Sequence, residues 1–352
     1  MNTSFEAFPL IIGWELTLAC NLRSCHCGSS AGNPRKNELT TEEAHELCDQ
    51  FPQLLVQTVD FTGGEPLLRQ DLFEIVNHLR RLRINANILT HVLDLDYEKI
   101  LQIKESGVSC LGISLDSLEQ NHDYIRGCTG AFKRVINSIK MVLKENVALH
   151  VITTVTSLNV HELPGILHLL HSLWIQSWRV QSLMPIGRVK KSKELLVQKQ
   201  AILELGQFIR WWKLIVAKEG MEIVCGDGLQ YVFNGKENNS DRPWRGCPAG
   251  WIACGITSDG KVKGCLSMQD DLVEGDLRKH DLWDIWFHPD SFSYNRKFVP
   301  EQLGPNCSSC DKAENCKGGC SINSYAATGI FHNDPYCFYM IDKLNSLHCS
   351  VM

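Results

Sequence analysis

The first half of the chain alternates two hydrophobic periods. Runs at 14–19, 58–62, 84–90, 108–116, 148–156 and 178–184 are short and apolar, which predicts strands. Between them, apolar positions recur with the helical period at roughly 41–54, 70–82, 96–106, 131–145 and 161–174. The first of these helices opens on Thr40-x-x-Glu43, the signature of a capping box. Strands that alternate with helices need crossover connections, and so imply a parallel sheet. A sixth helical pattern near 196–218 completes six β/α units. The pattern therefore predicts an α/β fold, a partial (β/α)6 TIM-like barrel open on one side rather than an eight-fold one.

The pattern then breaks. From Cys247 to Cys337 the chain is rich in Gly, Pro, Asn and Cys, with little sustained periodicity. Such a segment buries too little apolar surface to hold itself by a core, and metal ligation is the natural substitute. Composition is otherwise ordinary: 352 residues, 44% hydrophobic and 21% charged, suit one large or two unequal domains. A formal charge of −5 argues against a basic nucleic-acid-binding face. No apolar run is long enough to span a membrane. The opening residues lack a basic leader, so a cytoplasmic protein without a secretory signal is expected. Cysteine changes the picture. Sixteen cysteines in a reducing compartment point to a metal or cluster rather than to disulfides.

Three of them, Cys20, Cys25 and Cys27, fall on the loop that leaves the first predicted strand. Loops at the C-terminal ends of barrel strands are where such enzymes place their chemistry. Three thiolates there can hold three irons of a [4Fe–4S] cluster and leave the fourth iron open to another ligand. A structural zinc site and free thiols are the alternatives at this level. The second predicted strand runs into Gly63-Gly64-Glu65-Pro66. Consecutive glycines let backbone approach a ligand closely, and a carboxylate fixed beside them can pair with an ammonium group.

The cysteine triplet and this Gly-Gly-Glu-Pro string are followed by Ile113-Ser114-Leu115-Asp116, His122-Asp123-x-x-Arg126-Gly127 and Pro185-x-Gly187-Arg188. In this order the motifs resemble the radical S-adenosylmethionine (SAM) enzymes over about residues 10–190. The resemblance implies that the open iron binds SAM, whose reductive cleavage yields a 5′-deoxyadenosyl radical that abstracts hydrogen from substrate. It also implies that Glu65, with backbone near Gly63 and Gly64, receives the methionine ammonium. Ser114 and Asp116 would lie near the ribose or carboxylate, Arg126 near the carboxylate, and His26 near the adenine. One departure matters. The family spacing Cys-x3-Cys-x2-Cys would use position 24, which is serine here, and a cysteine follows one place later. A serine alkoxide is a poor substitute for thiolate on iron. Ligation by Cys20, Cys25 and Cys27 is therefore expected.

The second half is similar to the SPASM extension of a subset of these enzymes over about residues 245–340. The matching positions are Cys247, Gly260, Cys265, Cys307, Cys310, Cys316, Cys320 and Cys337. The resemblance implies two auxiliary [4Fe–4S] clusters, one on Cys247, Cys265, Cys320 and an additional cysteine, for which Cys254 is well placed. The other would use Cys307, Cys310, Cys316 and Cys337. With the SAM-binding cluster this makes three. Four-cysteine zinc sites are the alternative for eight thiolates on a loop-rich segment.

The resulting organisation is a radical SAM partial barrel at 1–190, a bridging helix and strand at 191–244, a small, loop-rich, cysteine-rich cluster-binding domain at 245–340 and a tail at 341–352. Cys225, in the bridge, is a candidate hydrogen-atom donor or else a buried strand cysteine, and Asp227, Tyr231 and Arg245 are candidate substrate contacts. Cys48 and Cys110 read as core residues, and Cys128 and Cys349 as incidental. His161, His168 and His171 read as one helix face, and Trp211-Trp212 as packing. Because such enzymes mostly modify peptides, the resemblance implies a maturase acting on a ribosomally made precursor peptide. Oxidative crosslinking is the expected outcome, with an electron donor such as flavodoxin or ferredoxin and neither nucleic acid nor membrane as partner. The alternatives are an epimerase using Cys225, a radical SAM enzyme acting on a small molecule or tetrapyrrole, and a non-catalytic zinc- or cluster-binding protein.

Overall fold

The computed structural model describes residues 7–349 apart from 227, 230, 231 and 233–243. The barrel half runs β1 (Ile11–Thr17), α1 (Thr41–Gln50), β2 (Thr58–Gly63), α2 (Leu72–Arg81), β3 (Asn85–Thr90), α3 (Tyr97–Ser106) and β4 (Cys110–Ser114). It continues through α4 (Glu119–Arg126), α5 (Ala131–Lys144), β5 (Leu149–Val155), α6 (Leu163–Ser172), β6 (Ser177–Ser182), α7 (Lys199–Val216) and β7 (Glu222–Cys225). All six predicted strands form. The capping box is present as well: Glu43 N–H donates to Thr40 Oγ1 at 3.2 Å, and Thr40 N–H donates to Glu43 Oε2 at 2.9 Å.

In the barrel half one helix lies outside the predicted set, and the expected bridging strand joins the barrel sheet. Helix α4 is short and strongly polar, and Ile125 is its one buried apolar residue, too few to mark a period. Strand β7 pairs parallel to β6 and adds a seventh barrel strand. The cysteine-rich segment contributes β8 (Ala253–Ile256), β9 (Lys261–Lys263) and β10 (Gly275–Asp276), followed by α8 (Leu282–Phe287), α9 (Ser293–Arg296), α10 (Ala313–Cys316), α11 (Ser321–Thr328) and α12 (Phe338–Cys349). Among the described residues the ten strands form one sheet, in the order β10-β9-β8-β1-β2-β3-β4-β5-β6-β7. Strand β8 lies parallel to β1, with Ile12 opposite Cys254, so the extension continues the barrel sheet at its first edge.

Strand alternation separates a dry face from an open one. Trp14, Phe61, Ile88, Leu111, Ile113, Val151, Trp178 and Val180 are fully buried against the helices. The residues between them face a partly exposed, polar lumen. There Asn87 donates to Asp60 at 2.8 Å, and Cys110 Sγ lies 3.4 Å from His150 Nδ1. Among the described residues no helix is long and apolar enough to cross a membrane.

Candidate functional site

The double glycine brings the end of β2 against the cysteine loop. A Cβ on Gly63 would lie 2.3 Å from the Thr17 carbonyl oxygen, and one on Gly64 would lie 2.0 Å from that of Ala19. Only glycine allows this approach. Gly64 and Glu65 then donate their N–H groups to the Thr17 and Ala19 carbonyls, both at 2.8 Å. Glu65 is buried, and its carboxylate accepts three hydrogen bonds. Oε1 accepts from Leu67 N–H at 3.1 Å and Thr90 Oγ1 at 2.8 Å, and Oε2 accepts from His91 N–H at 3.0 Å. His91 Nε2 lies 3.1 Å from the same Oε2. Leu93 N–H donates to His91 Nδ1 at 3.2 Å, so the ring proton of neutral His91 sits on Nε2. Burial holds the His91 pKa below its ordinary value.

The cysteine loop presents Cys20, Cys25 and Cys27 half-buried, whereas Ser24 is buried. Leu22 and Ala31 direct N–H groups at Cys20 and Cys27 Sγ, each at 3.4 Å. Burial pushes the Cys20 and Cys25 thiols up, so iron would have to supply the charge that favours thiolate there. The loop is pinned from two directions. Cys25 N–H donates to the Ile125 carbonyl at 2.9 Å, and Arg188 donates to the Ser24 carbonyl at 2.9 Å and to that of Ala31.

The third group gathers around Asp116, which is almost wholly buried at the end of β4. Arg126 Nη2 lies 2.7 Å from its Oδ2 and His26 Nε2 3.2 Å. Burial alone would raise this carboxyl, but the Arg126 guanidinium and His26 outweigh it and hold it far below the carboxylate range. His122, whose Nδ1 accepts from Asp116 N–H at 3.2 Å, is pushed down to about 4 by burial and by Arg126. Ser114 lies half-buried on the same strand face. His26 Nδ1, His122 Nε2 and Arg126 Nε are buried without a hydrogen-bond partner. Such a set of orphaned polar atoms suits a zwitterionic ligand. Thr90, His91 and His122 were not among the predicted site residues. Only the position of Thr90 and His91, at the C-terminal end of a barrel strand, signals them in the sequence.

In the extension, Cys307, Cys310, Cys316 and Cys337 line one pocket together with Gly318 and Gly319. Burial pushes Cys307 up to about 11 and Cys337 well above the ordinary thiol value. Asp334, buried at the same pocket, is raised to about 6 by burial. A second small cluster brings Cys247, Cys265 and Cys320 together with Met184, Ile186 and Tyr294. Asn295 fixes its entry by donating to the Cys247 carbonyl at 2.9 Å. Cys254 does not join them; it packs in the main core. Among the described residues no three His, Cys, Asp or Glu side chains close on a single ion. A four-iron cluster, with one thiolate at each iron, needs a wider set.

Of the two readings of Cys225, hydrogen donor or buried strand cysteine, the structure bears out the second. The residue pairs with Val180 on β7 and packs, like Val180, in the core. Lys213 of α7 is its charged neighbour. Cys225 therefore faces the helices, away from the lumen, where a hydrogen donor would have to stand. Cys48 is core, as expected, whereas Cys110 is half-buried in the lumen beside His150. Asp227 and Tyr231 lie outside the described residues. Arg245 is exposed, two residues before Cys247.

Comparison with known proteins matches residues 14–170 to the radical SAM superfamily and residues 247–311 to the SPASM iron-sulfur cluster-binding domain. An AdoMet-dependent heme synthase of Methanosarcina barkeri is 30% identical, over 95% of this chain and 98% of its own. The mycofactocin maturase MftC of Mycobacterium ulcerans is 26% identical, over 94% and 88%. In fold the chain is similar to SuiB of Streptococcus suis bound to S-adenosylmethionine. The TM-score is 0.78, with 18% identity over 94% of this chain and 77% of that one.

Proposed function

The chain belongs to the radical SAM superfamily and carries a SPASM extension, and from that premise we propose that it acts on an iron tetrapyrrole in haem formation. The observation that carries this reading is the 30% identity to a heme synthase along nearly the whole of both chains. It favours an iron tetrapyrrole over the precursor peptide that the sequence motifs suggest. The lumen suits a polar, carboxylate-bearing substrate, because Arg179, Gln181, Asn87 and His150 leave their side chains partly exposed there.

When bound, a reduced cluster and SAM supply a 5′-deoxyadenosyl radical. Cys20, Cys25 and Cys27 would hold that cluster. Glu65, already immobilised by Thr90 and His91, would receive the SAM ammonium without reorganising. Arg126 would meet the SAM carboxylate while Asp116 keeps its guanidinium oriented, and His26 would border the adenine. Converting a propionate side chain to vinyl removes one hydrogen atom, CO2 and one electron. The two thiol groups of the extension would hold auxiliary clusters able to take that electron, with a flavodoxin or ferredoxin as the outside electron donor.

The test is anaerobic incubation of the reconstituted protein with reductant, SAM and an iron porphyrin bearing four propionates. Porphyrin-dependent release of 5′-deoxyadenosine and formation of haem are expected. SAM cleavage indifferent to porphyrin, but stimulated by a small precursor peptide, would return the reading to peptide maturation.

A further inference from the structure

Cys247, Cys265 and Cys320 pack in one small cluster, and the fourth cysteine expected with them stands elsewhere. The reason is strand alternation. A Cβ on Gly255 would fall 2.8 Å from the Cys265 carbonyl carbon, so Gly255 turns toward that loop. Cys254, one position earlier on β8, turns to the opposite face and lies in the main core. Tyr294 occupies the cluster instead. Its ring stacks on Phe331 at 4.6 Å and 17°, and His332 Nε2 lies 2.7 Å from its backbone carbonyl oxygen. Its hydroxyl is buried with no hydrogen-bond partner. A Cβ on Gly264, the residue before Cys265, would lie 1.9 Å from that oxygen.

A buried hydroxyl without an acceptor is costly, and an immobilised ring cannot swing it to water. Cys247 and Cys265 stand beside it, so sulfur of a cluster held there is the acceptor it would meet. We propose that Tyr294 donates its O–H to sulfur of an iron–sulfur cluster assembled on Cys247, Cys265 and Cys320, and that Cys254 is not a ligand of that cluster. The proposal rests on the reading of the extension as a cluster carrier. A hydrogen bond to sulfur favours the reduced, more negative state and so raises the reduction potential. Tyr294 thereby makes this site a better electron acceptor than it would be without the hydrogen bond.

The experiment is iron and sulfide analysis with potentiometric titration by electron paramagnetic resonance, on the reconstituted full chain and its variants. Cys254→Ala, and Cys254→Val, which refills the volume, should both keep the full iron content. Cys320→Ala should lose about four irons, those of one cluster. Tyr294→Phe, which preserves the stack on Phe331, should keep its iron and lower the potential of one auxiliary cluster. Loss of about four irons in both Cys254 variants would make that residue a ligand and overturn the proposal. An unchanged potential in Tyr294→Phe would remove the hydrogen bond. Unchanged iron in Cys320→Ala would instead overturn the cluster-carrier reading beneath it.

Discussion

The SAM-side site and the cysteine-rich extension are built on opposite plans. At the barrel mouth each functional side chain is wired to strand ends by the protein's own donors. Glu65 is held by Thr90, His91 and Leu67, and Asp116 by Arg126, His26 and Thr154. In the extension, the thiols border a pocket and a small apolar cluster, on short elements such as the four-residue α10. One site is preorganised by a large core. The other depends on what its thiols bind. The lesson is that a cofactor can be a guest in one half of a chain and a structural member in the other.

The sharpest test of the first plan is the cysteine loop. Cys25→Ala should abolish SAM cleavage, whereas Ser24→Ala should retain it, measured as 5′-deoxyadenosine. Normal cleavage by Cys25→Ala would mean the loop uses another ligand set. The comparison itself is tested by anaerobic removal of iron with a chelator. Limited proteolysis should then cut within 245–340 while the barrel resists; equal resistance of both halves would erase the distinction.

Breaking the Asp116 pair should cost less, but still several kcal/mol. Asp116→Asn strands the largely buried Arg126, a loss of about 3–5 kcal/mol in urea unfolding. The sign with pH follows from the depressed folded pKa of Asp116. Its contribution is fully present above the unfolded value of about 3.9 and is lost as pH falls below it. The gap between wild type and Asp116→Asn should therefore be constant above about pH 5 and narrow only in acid. A gap that widened in acid would contradict the ion pair. Glu65→Gln should weaken SAM binding roughly ten- to a hundredfold by calorimetry, the loss of one charge-assisted hydrogen bond. The smallest effect belongs to Cys225→Ala, which should leave the product and its deuterium content unchanged, because the thiol faces α7. Altered deuterium incorporation would put Cys225 back in the mechanism.

The sequence by itself determined the strands and helices whose apolar period is long, the order of motifs along the first half, and the count and spacing of the cysteines. Those are local properties: the helical and strand periods and the ligand spacings are all written within a few residues. Tertiary structure alone decided which face each short-strand residue takes. A shift of one residue moves a strand side chain to the other face, so the sequence could place Cys225 in a strand without choosing its face, and it offered Cys254 only as a ligand. It also decided that β8 joins β1 across more than two hundred residues, and that Thr90 and His91 close on Glu65. No local pattern encodes such contacts. They arise when the sheet closes, and the buried carboxylates must then be met by whatever donors the neighbouring strand ends supply.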